Sequence, residues 1–454
     1  MNKKVKIVFK GCLVFVAIFV LIIIGLAFWF WESITILAGN KDLEGKVGSV
    51  PEVTSQAFPE ITKGKNDWIN WLGPNNDGSS NMTDIPKDWS KGLKQLWEVD
   101  YLCQGKGSAV WSAPVIQGNR LIVCGRDNDS DIVFCLNPDT GKTIWKSSYQ
   151  AKAKKSYGSG NRGTPWIDND KVYTFGRNGD VVCWNLLDGK KIWHKNVKDS
   201  GGKEPKWGWS NSPLVTDSLV VVQGGGDAHT IAYDKKTGDV MWKSVPGKAG
   251  YAALRTMKLN GKEVILSFYG TGLAALNPVD GKQLWNVEWK TAWDVNATTP
   301  MVVDDKVFIS SGYGKGCELL KVTDSSAEVL WKNKVIASHH SDPFIIDGYI
   351  YGYSGQSMQN KGTFKCVDLQ TGKEKWASNA MGWGTGVYVD KHILCLDNKG
   401  NLFLMKPEPG KFIKVTEMRN VVGRIKGATW TKPIIANGKL YVRFMQKLVC
   451  LELK

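Results

Sequence analysis

The sequence predicts an all-β fold, an eight-bladed propeller preceded by one N-terminal transmembrane helix. Three observations carry this reading. Trp97, Trp145, Trp193, Trp242, Trp285, Trp331 and Trp376 recur at intervals of 43 to 49 residues, and a fixed period in that range marks stacked structural units. Between them lie short runs rich in Val, Ile, Leu, Tyr and Phe, separated by Gly, Asn and Asp, which read as antiparallel strands joined by hairpins. Helical periodicity is nearly absent beyond the N-terminal apolar run.

The elements follow in chain order. Lys3, Lys4, Lys6 and Lys10 precede an uncharged run from Gly11 to Trp31, long enough as a helix to cross roughly 30 Å of hydrocarbon. The basic flank predicts a cytoplasmic N-terminus, and Trp29 and Trp31 suit the aromatic belt at the far interface. A cleavable signal peptide is the alternative. No convincing small-x-small site precedes Gly39, so residues 1–39 are expected to be an uncleaved signal anchor. Residues 40–66 are polar with scattered Pro, Gly and Lys, which suits a flexible stalk. The propeller is expected over 67–454.

Most of the tryptophans close one phrase. It runs Asn137-Pro-Asp-Thr-Gly141-Lys-Thr-Ile-Trp145, and returns from Asn185 through Gly189 to Trp193, Asp234 through Gly238 to Trp242, Asn277 through Gly281 to Trp285, and Asp368 through Gly372 to Trp376. The glycine accepts the positive φ of a tight turn. One twisted blade cannot bury both faces, so neighbours must stack, and a large indole suits the gap between them. A second phrase ends in Pro114, Pro165, Pro213, Pro300, Pro343 and Pro433 and opens the innermost strands. The stretch Ala252 to Trp285 keeps the rhythm without the proline, and Gly384 to Val415 is a worn copy lacking the tryptophan. Thr431 to Leu453 supplies three strands, while Leu93 to Val99 looks like an outermost strand with no blade in front of it. Joining the two closes a ring of eight and removes exposed sheet edges; seven blades is the alternative.

The phrase Asp/Asn-x-x-Thr/Asp-Gly-Lys-x-x-Trp resembles the tryptophan-docking motif of the PQQ-like eight-bladed propellers. The opening Trp68-Ile-Asn-Trp71-Leu-Gly73-Pro74-Asn-Asn-Asp77-Gly78 and the segment Ser310-Ser-Gly-Tyr-Gly314-Lys-Gly-Cys317-Glu-Leu-Leu320 are similar to a bacterial branch of that superfamily. The resemblance implies structural docking roles for the seven periodic tryptophans. Its members divide between quinoprotein dehydrogenases and the propeller lipoprotein of the outer-membrane assembly machine, so fold and activity separate.

Composition narrows the partners. Four of the formal +16 charges lie in the N-terminal flank; the rest give a lysine-rich surface, with attraction to anionic headgroups or an acidic partner as the sharper reading. No nucleic-acid recognition module is present. Cys135, Cys183, Cys366 and Cys450 stand where Ala232 and Ala275 stand in other repeats, so these cysteines serve as small apolar residues. A Cys124–Cys135 disulfide across a hairpin is the alternative.

Loops from each outermost strand to the next innermost strand gather at one mouth of the channel. They carry Arg162, Trp207, Trp209, Tyr251, Arg255, Trp293, Asp294, Asn296, His339, His340, Trp383 and Trp430 as candidate ligand-binding residues; the plainer reading is loop packing. Adjacent residues on an extended strand face opposite ways, which makes His339 and His340 a poor metal pair. No catalytic set and no metal site are expected. In quinoprotein dehydrogenases the resemblance implies PQQ between a tryptophan and a disulfide of adjacent cysteines, beside calcium held by carboxylate and amide oxygens. This chain has no Cys-Cys pair, and offers Asp294, Asn296 and Arg162 or Arg255.

The sequence therefore reads as a scaffold without a cofactor, anchored in a bacterial inner membrane with its propeller in the periplasm and an envelope protein as partner. The alternatives are a PQQ- and calcium-dependent alcohol or sugar dehydrogenase, and a small-molecule or saccharide binder, since stacked aromatics suit sugar rings.

Overall fold

The computed structural model describes residues 58–105, 107–153, 157–357, 362–423 and 427–454. The expected membrane anchor, and the stalk up to residue 57, lie outside them. No helix among the described residues is long and apolar enough to cross a membrane.

Eight sheets form the blades of a propeller. Blade 1 comprises Val115–Gln117, Arg120–Asp127, Ser130–Leu136 and Thr143–Gln150; each later blade repeats that inner-to-outer order. Strand alternation explains the packing, because both faces of the middle strands meet a neighbouring blade. Arg120 to Arg126, Asp131 to Leu136 and Asp180 to Trp184 are accordingly buried throughout. Blade 8 takes three strands from the C-terminal end, Ile434–Ala436, Lys439–Phe444 and Lys447–Glu452. Its outermost strand is Gln95–Val99, with Trp97 opposite Cys450. The two ends of the propeller thus share one blade and close the ring.

Each periodic indole is a bolt between blades. Its N–H donates to a turn carbonyl of the next blade: Trp97 to Pro138, Trp145 to Leu186, Trp193 to Lys235, Trp242 to Pro278, Trp285 to Thr323, Trp331 to Leu369 and Trp376 to Glu408, at 2.8 to 3.1 Å. The glycine of that turn has a second duty besides its positive φ. A Cβ on Gly238 would lie 2.7 Å from the Trp193 ring, and one on Gly372 would lie 2.8 Å from Trp331. Across the strand from six of these indoles sits a small residue, such as Cys135 opposite Trp145, Cys183 opposite Trp193, Ala232 opposite Trp242 and Cys366 opposite Trp376; Trp331 instead faces Leu319. All described cysteines are free thiols; Cys124 pairs in register with Val133 and not with Cys135. In the worn blade, Thr416 holds the tryptophan's register opposite Leu404. Its hydroxyl accepts the amide of Trp89, whose buried indole joins the same apolar cluster as Leu402 and Leu404.

The residues before the inner-strand prolines form a girdle around the channel. The amide of Ala113 donates to Thr164 Oγ1, that of Thr164 to Ser212 Oγ and that of Thr299 to Asp342 Oδ1. Backbone groups that the proline-containing strands leave open are thereby satisfied from one blade to the next.

The N-terminal segment closes one end. Asn119 binds the carbonyl of Glu60, and the Asn66 amide reaches Asn437 at 3.0 Å. These contacts of residues 60 and 66 fall inside the segment that the sequence reads as stalk. Trp68 pairs with Ile116 of blade 1, and the Ile69 carbonyl accepts from Ile167 of blade 2. Trp71 then reaches across the ring, its indole N–H donating to Asp342 Oδ2 at 2.8 Å and Thr299 Oγ1 at 3.1 Å. Gly78 binds Tyr388 of blade 7, where Ser79–Ser80 adds a short parallel strand. The motif that opens the propeller is thus a plug across the channel.

Candidate functional site

With one end plugged, the other mouth holds a blind cavity of about 200 Å³ whose floor includes Trp71. Its wall is built from Trp111, Tyr157, Arg162, Trp207, Tyr251, Tyr313, His339, His340 and Trp430, with Ser210, Ser212 and Ser357 supplying hydroxyls. No Asp or Glu among the described residues lines it.

The loops cross-link one another around this space. Arg162 donates to the Trp207 carbonyl at 2.7 Å and to the Tyr157 carbonyl at 3.3 Å, tying two neighbouring loops. Burial and nearby Arg177 pull its guanidinium down to about 9, still charged at neutral pH. The Trp207 amide donates to the Tyr251 hydroxyl at 3.3 Å, and burial pushes that phenol up to about 12. Tyr157 meets Trp207 edge-on at 5.1 Å, and Trp111 packs on Trp430 at 4.7 Å.

The two histidines depart from the strand-alternation argument. They lie in a bend after Ser338, not in a strand, so both rings reach the cavity wall with centroids 4.9 Å apart. Burial lowers His339 to about 4 and drives His340 well below the ordinary value, so both are neutral at pH 7. His339 Nδ1 lies 3.1 Å from Ser357 Oγ. Among the described residues, no carboxylate is bound to this pair.

Of the sequence candidates, Arg162, Trp207, Tyr251, His339, His340 and Trp430 meet in the wall. Trp383 stands behind it, fully buried, edge-on to His340 at 4.5 Å. Trp209 is fully buried and donates to the Gly224 carbonyl at 2.9 Å, inside blade 3. Asn296 is also buried, its amide given to the carbonyls of Tyr269 and Trp289. Arg255 points into the wall of the channel and contacts the Pro300 carbonyl. Trp293 is 57 % exposed on the rim, and Asp294 is paired there with Lys248 at 3.0 Å. Trp71, Trp111, Tyr157 and Tyr313 are cavity residues that the list of candidates omitted. Trp71 and Tyr313 belong to the two phrases that carried the family resemblance, which was the available signal.

The donor set can be compared with what PQQ and calcium require. Calcium takes oxygen ligands, carboxylates above all, and no carboxylate of a described residue lines the cavity. Asp294 and Asn296 are committed elsewhere, and no group of three His, Cys, Asp or Glu residues able to hold a metal occurs among the described residues. The indole floor suits a flat ring, but the metal half of a quinoprotein site does not fit these residues.

Comparison with known proteins agrees with the architecture. A sequence model of the PQQ-like family described as "Outer membrane protein assembly factor BamB" matches residues 128–378. The outer membrane protein assembly factor BamB of Burkholderia pseudomallei (strain K96243) is 23% identical over 366 residues, 77% of this chain and 85% of that one. The quinohemoprotein alcohol dehydrogenase of Comamonas testosteroni is also 23% identical, over 290 residues, 50% of this chain but 38% of its own length. The crystal structure of BamB from Moraxella catarrhalis superimposes with a TM-score of 0.56 at 16% identity, covering 80% of this chain and 98% of that chain.

Proposed function

The chain belongs to the PQQ-like propeller family described as outer membrane protein assembly factor BamB, and from that premise we propose that it is a non-catalytic binding scaffold of the bacterial envelope. In this reading residues 1–39 anchor it in the inner membrane and the propeller stands in the periplasm, with its open mouth holding another envelope protein. The observation that carries the reading is the cavity itself. It is concave, rigid and aromatic, and its polar groups are bound to neighbouring loops or held neutral. Such a wall supplies shape and apolar area, which binding uses, without an acid–base pair that chemistry would need.

Photocrosslinking tests it. A photoreactive residue placed at position 293 on the rim of the full-length chain in cells should trap a discrete envelope protein. The same residue at position 390, beside the plug, should not. Crosslinking from the plug face alone would overturn the reading. Oxidation of an alcohol or sugar with PQQ and calcium is the alternative that the dehydrogenase relatives raise. Calorimetric titration of PQQ, with and without calcium, decides it: the scaffold reading expects no calcium-dependent binding, and tight calcium-dependent binding would replace it with a quinoprotein.

A further inference from the structure

Three aromatic residues among the described part of the chain have positive φ: Tyr157 at 56°, Trp293 at 64° and Tyr313 at 57°. All three stand at the open mouth. A left-handed backbone at a bulky residue is an outlier, and such strain gathers at ligand clamps, where the surroundings hold it in place. Asp294 follows at 58°, so two successive residues are held left-handed to present the Trp293 indole outward. Nothing in the ring requires that indole for packing, since more than half of it is exposed.

The charges around the mouth are arranged on the same pattern. The Lys206 ammonium lies 3.1 Å from the centre of the Trp293 ring and 5.2 Å from that of Trp207. It joins an exposed indole to one in the cavity wall. Lys248 is bound to Asp294, next to Trp293, and the Lys315 ammonium lies 4.8 Å from the centre of the Trp289 ring. Of the acids nearest these lysines, Asp294 is paired with Lys248, Glu288 with Lys290 and Glu318 with Lys332, while Glu204, two residues before Lys206, faces Arg177. Among the described residues, the lining of the cavity below has one charged side chain, Arg162, and no carboxylate. At about 200 Å³ the cavity is smaller than the roughly 300–1,000 Å³ typical of sites for drug-sized ligands. It has room for one ring system.

We infer that this mouth receives a single aromatic side chain, Phe or Tyr, carried on an acidic segment of a partner protein. The ring enters the cavity between Trp207 and Trp430, over the Trp71 floor, while carboxylates flanking it meet Lys206, Lys248 and Lys315. Trp293 covers the entering chain from the rim. This deepens the scaffold reading, on which it rests, by naming the chemistry of the partner. Aromatic anchors in desolvated pockets, ringed by weaker polar contacts, carry most of the energy of such interfaces, and the lysine rim adds salt-dependent steering.

The test uses the full-length chain in detergent and capped heptapeptides, with binding read from the cavity tryptophans' fluorescence. The probes are a central Phe flanked by Asp and Glu, the same flanks around Ala, and Phe flanked by Lys. The acidic Phe peptide should bind at least tenfold more tightly than either control, and more weakly as salt rises. Trp207→Ala should abolish the preference for Phe over Ala. Because that variant removes packing, the exposed double variant Lys206→Glu/Lys248→Glu provides an independent arm: it should invert the preference toward the Lys-flanked peptide. Equal affinity for all three peptides, or no binding, overturns the inference, as does an unchanged charge preference in the double variant. Should the peptides fail while position 293 still crosslinks to an envelope protein, the scaffold reading stands and only the partner's chemistry is wrong.

Discussion

The seven periodic tryptophans and the tryptophans of the mouth are one side chain put to two uses. Trp145 lies between two blades, its N–H given to the Leu186 carbonyl and its ring covered by Gly189. Trp207 lies in a loop, touches Tyr157 and Lys206 through its ring, and borders an open cavity. The first geometry recurs because each blade interface poses the same packing problem. The second occurs once, because eight loops of different length and sequence converge on a single axis. Indoles that repeat hold the ring together; indoles that do not repeat, where they face the cavity, are available to something outside it.

The largest effect expected from this contrast is at the ring closure. Deleting residues 438–454 leaves Gln95–Val99 without the strand it pairs with. The full-length chain should melt in one cooperative transition by circular dichroism, and the truncated chain should lose that transition across the whole propeller. Loss confined to one blade's worth of signal would mean that the blades are independent.

Next come the docking sites. Trp145→Ala removes a buried indole and its hydrogen bond, and large-to-small core substitutions of this kind cost about 3–5 kcal/mol. Gly238→Ala forces a Cβ against Trp193 at a φ of 75°, and overpacking costs about 1–3 kcal/mol. Urea titration of both variants should show these losses in that order.

A smaller effect follows from the cavity histidines. The folded-state value of His339 lies near 4, below the ordinary 6.5 of the unfolded chain, because burial penalises the imidazolium. The unfolded state therefore binds the proton first as pH falls, and stability is lost between about pH 6.5 and 4. His229, fully buried and also near 4, adds to the same loss. His339→Asn should flatten the fall in melting temperature between pH 7 and 4.5 only in part, and an unchanged slope would show that His339 takes up its proton as readily in the folded chain as in the unfolded one. The smallest effect is at Cys366, where alanine occupies the corresponding position of blades 3 and 4. Cys366→Ala should change stability by about 1 kcal/mol or less, with no dependence on reductant.

The same contrast explains what the sequence revealed. The blade count, the closure through Trp97 and the docking role of the tryptophans were legible because a repeated interface leaves a repeated phrase. The cavity was legible only as a set of loops. Trp207 and Trp209 sit two residues apart in one of them, yet Trp209 turns into blade 3 while Trp207 borders the cavity. No periodicity governs which way a loop side chain turns. His339 and His340 both line the wall, where strand alternation would send them to opposite faces, because they lie in a bend. Trp71 was missed as a site residue because its position depends on contacts with Thr299 and Asp342, more than 200 residues away in sequence, which no local pattern encodes.

The decisive measurement is made on the Trp207→Ala chain: its urea denaturation midpoint, alongside the yield of crosslinked partner from a photoreactive residue at position 293. The account predicts a stability change of about 1 kcal/mol or less, as for substitutions outside the core, with the crosslinked product lost. Undiminished crosslinking, or a stability loss as large as that of Trp145→Ala, would contradict it by showing that the mouth indoles belong to the fold and not to a binding surface.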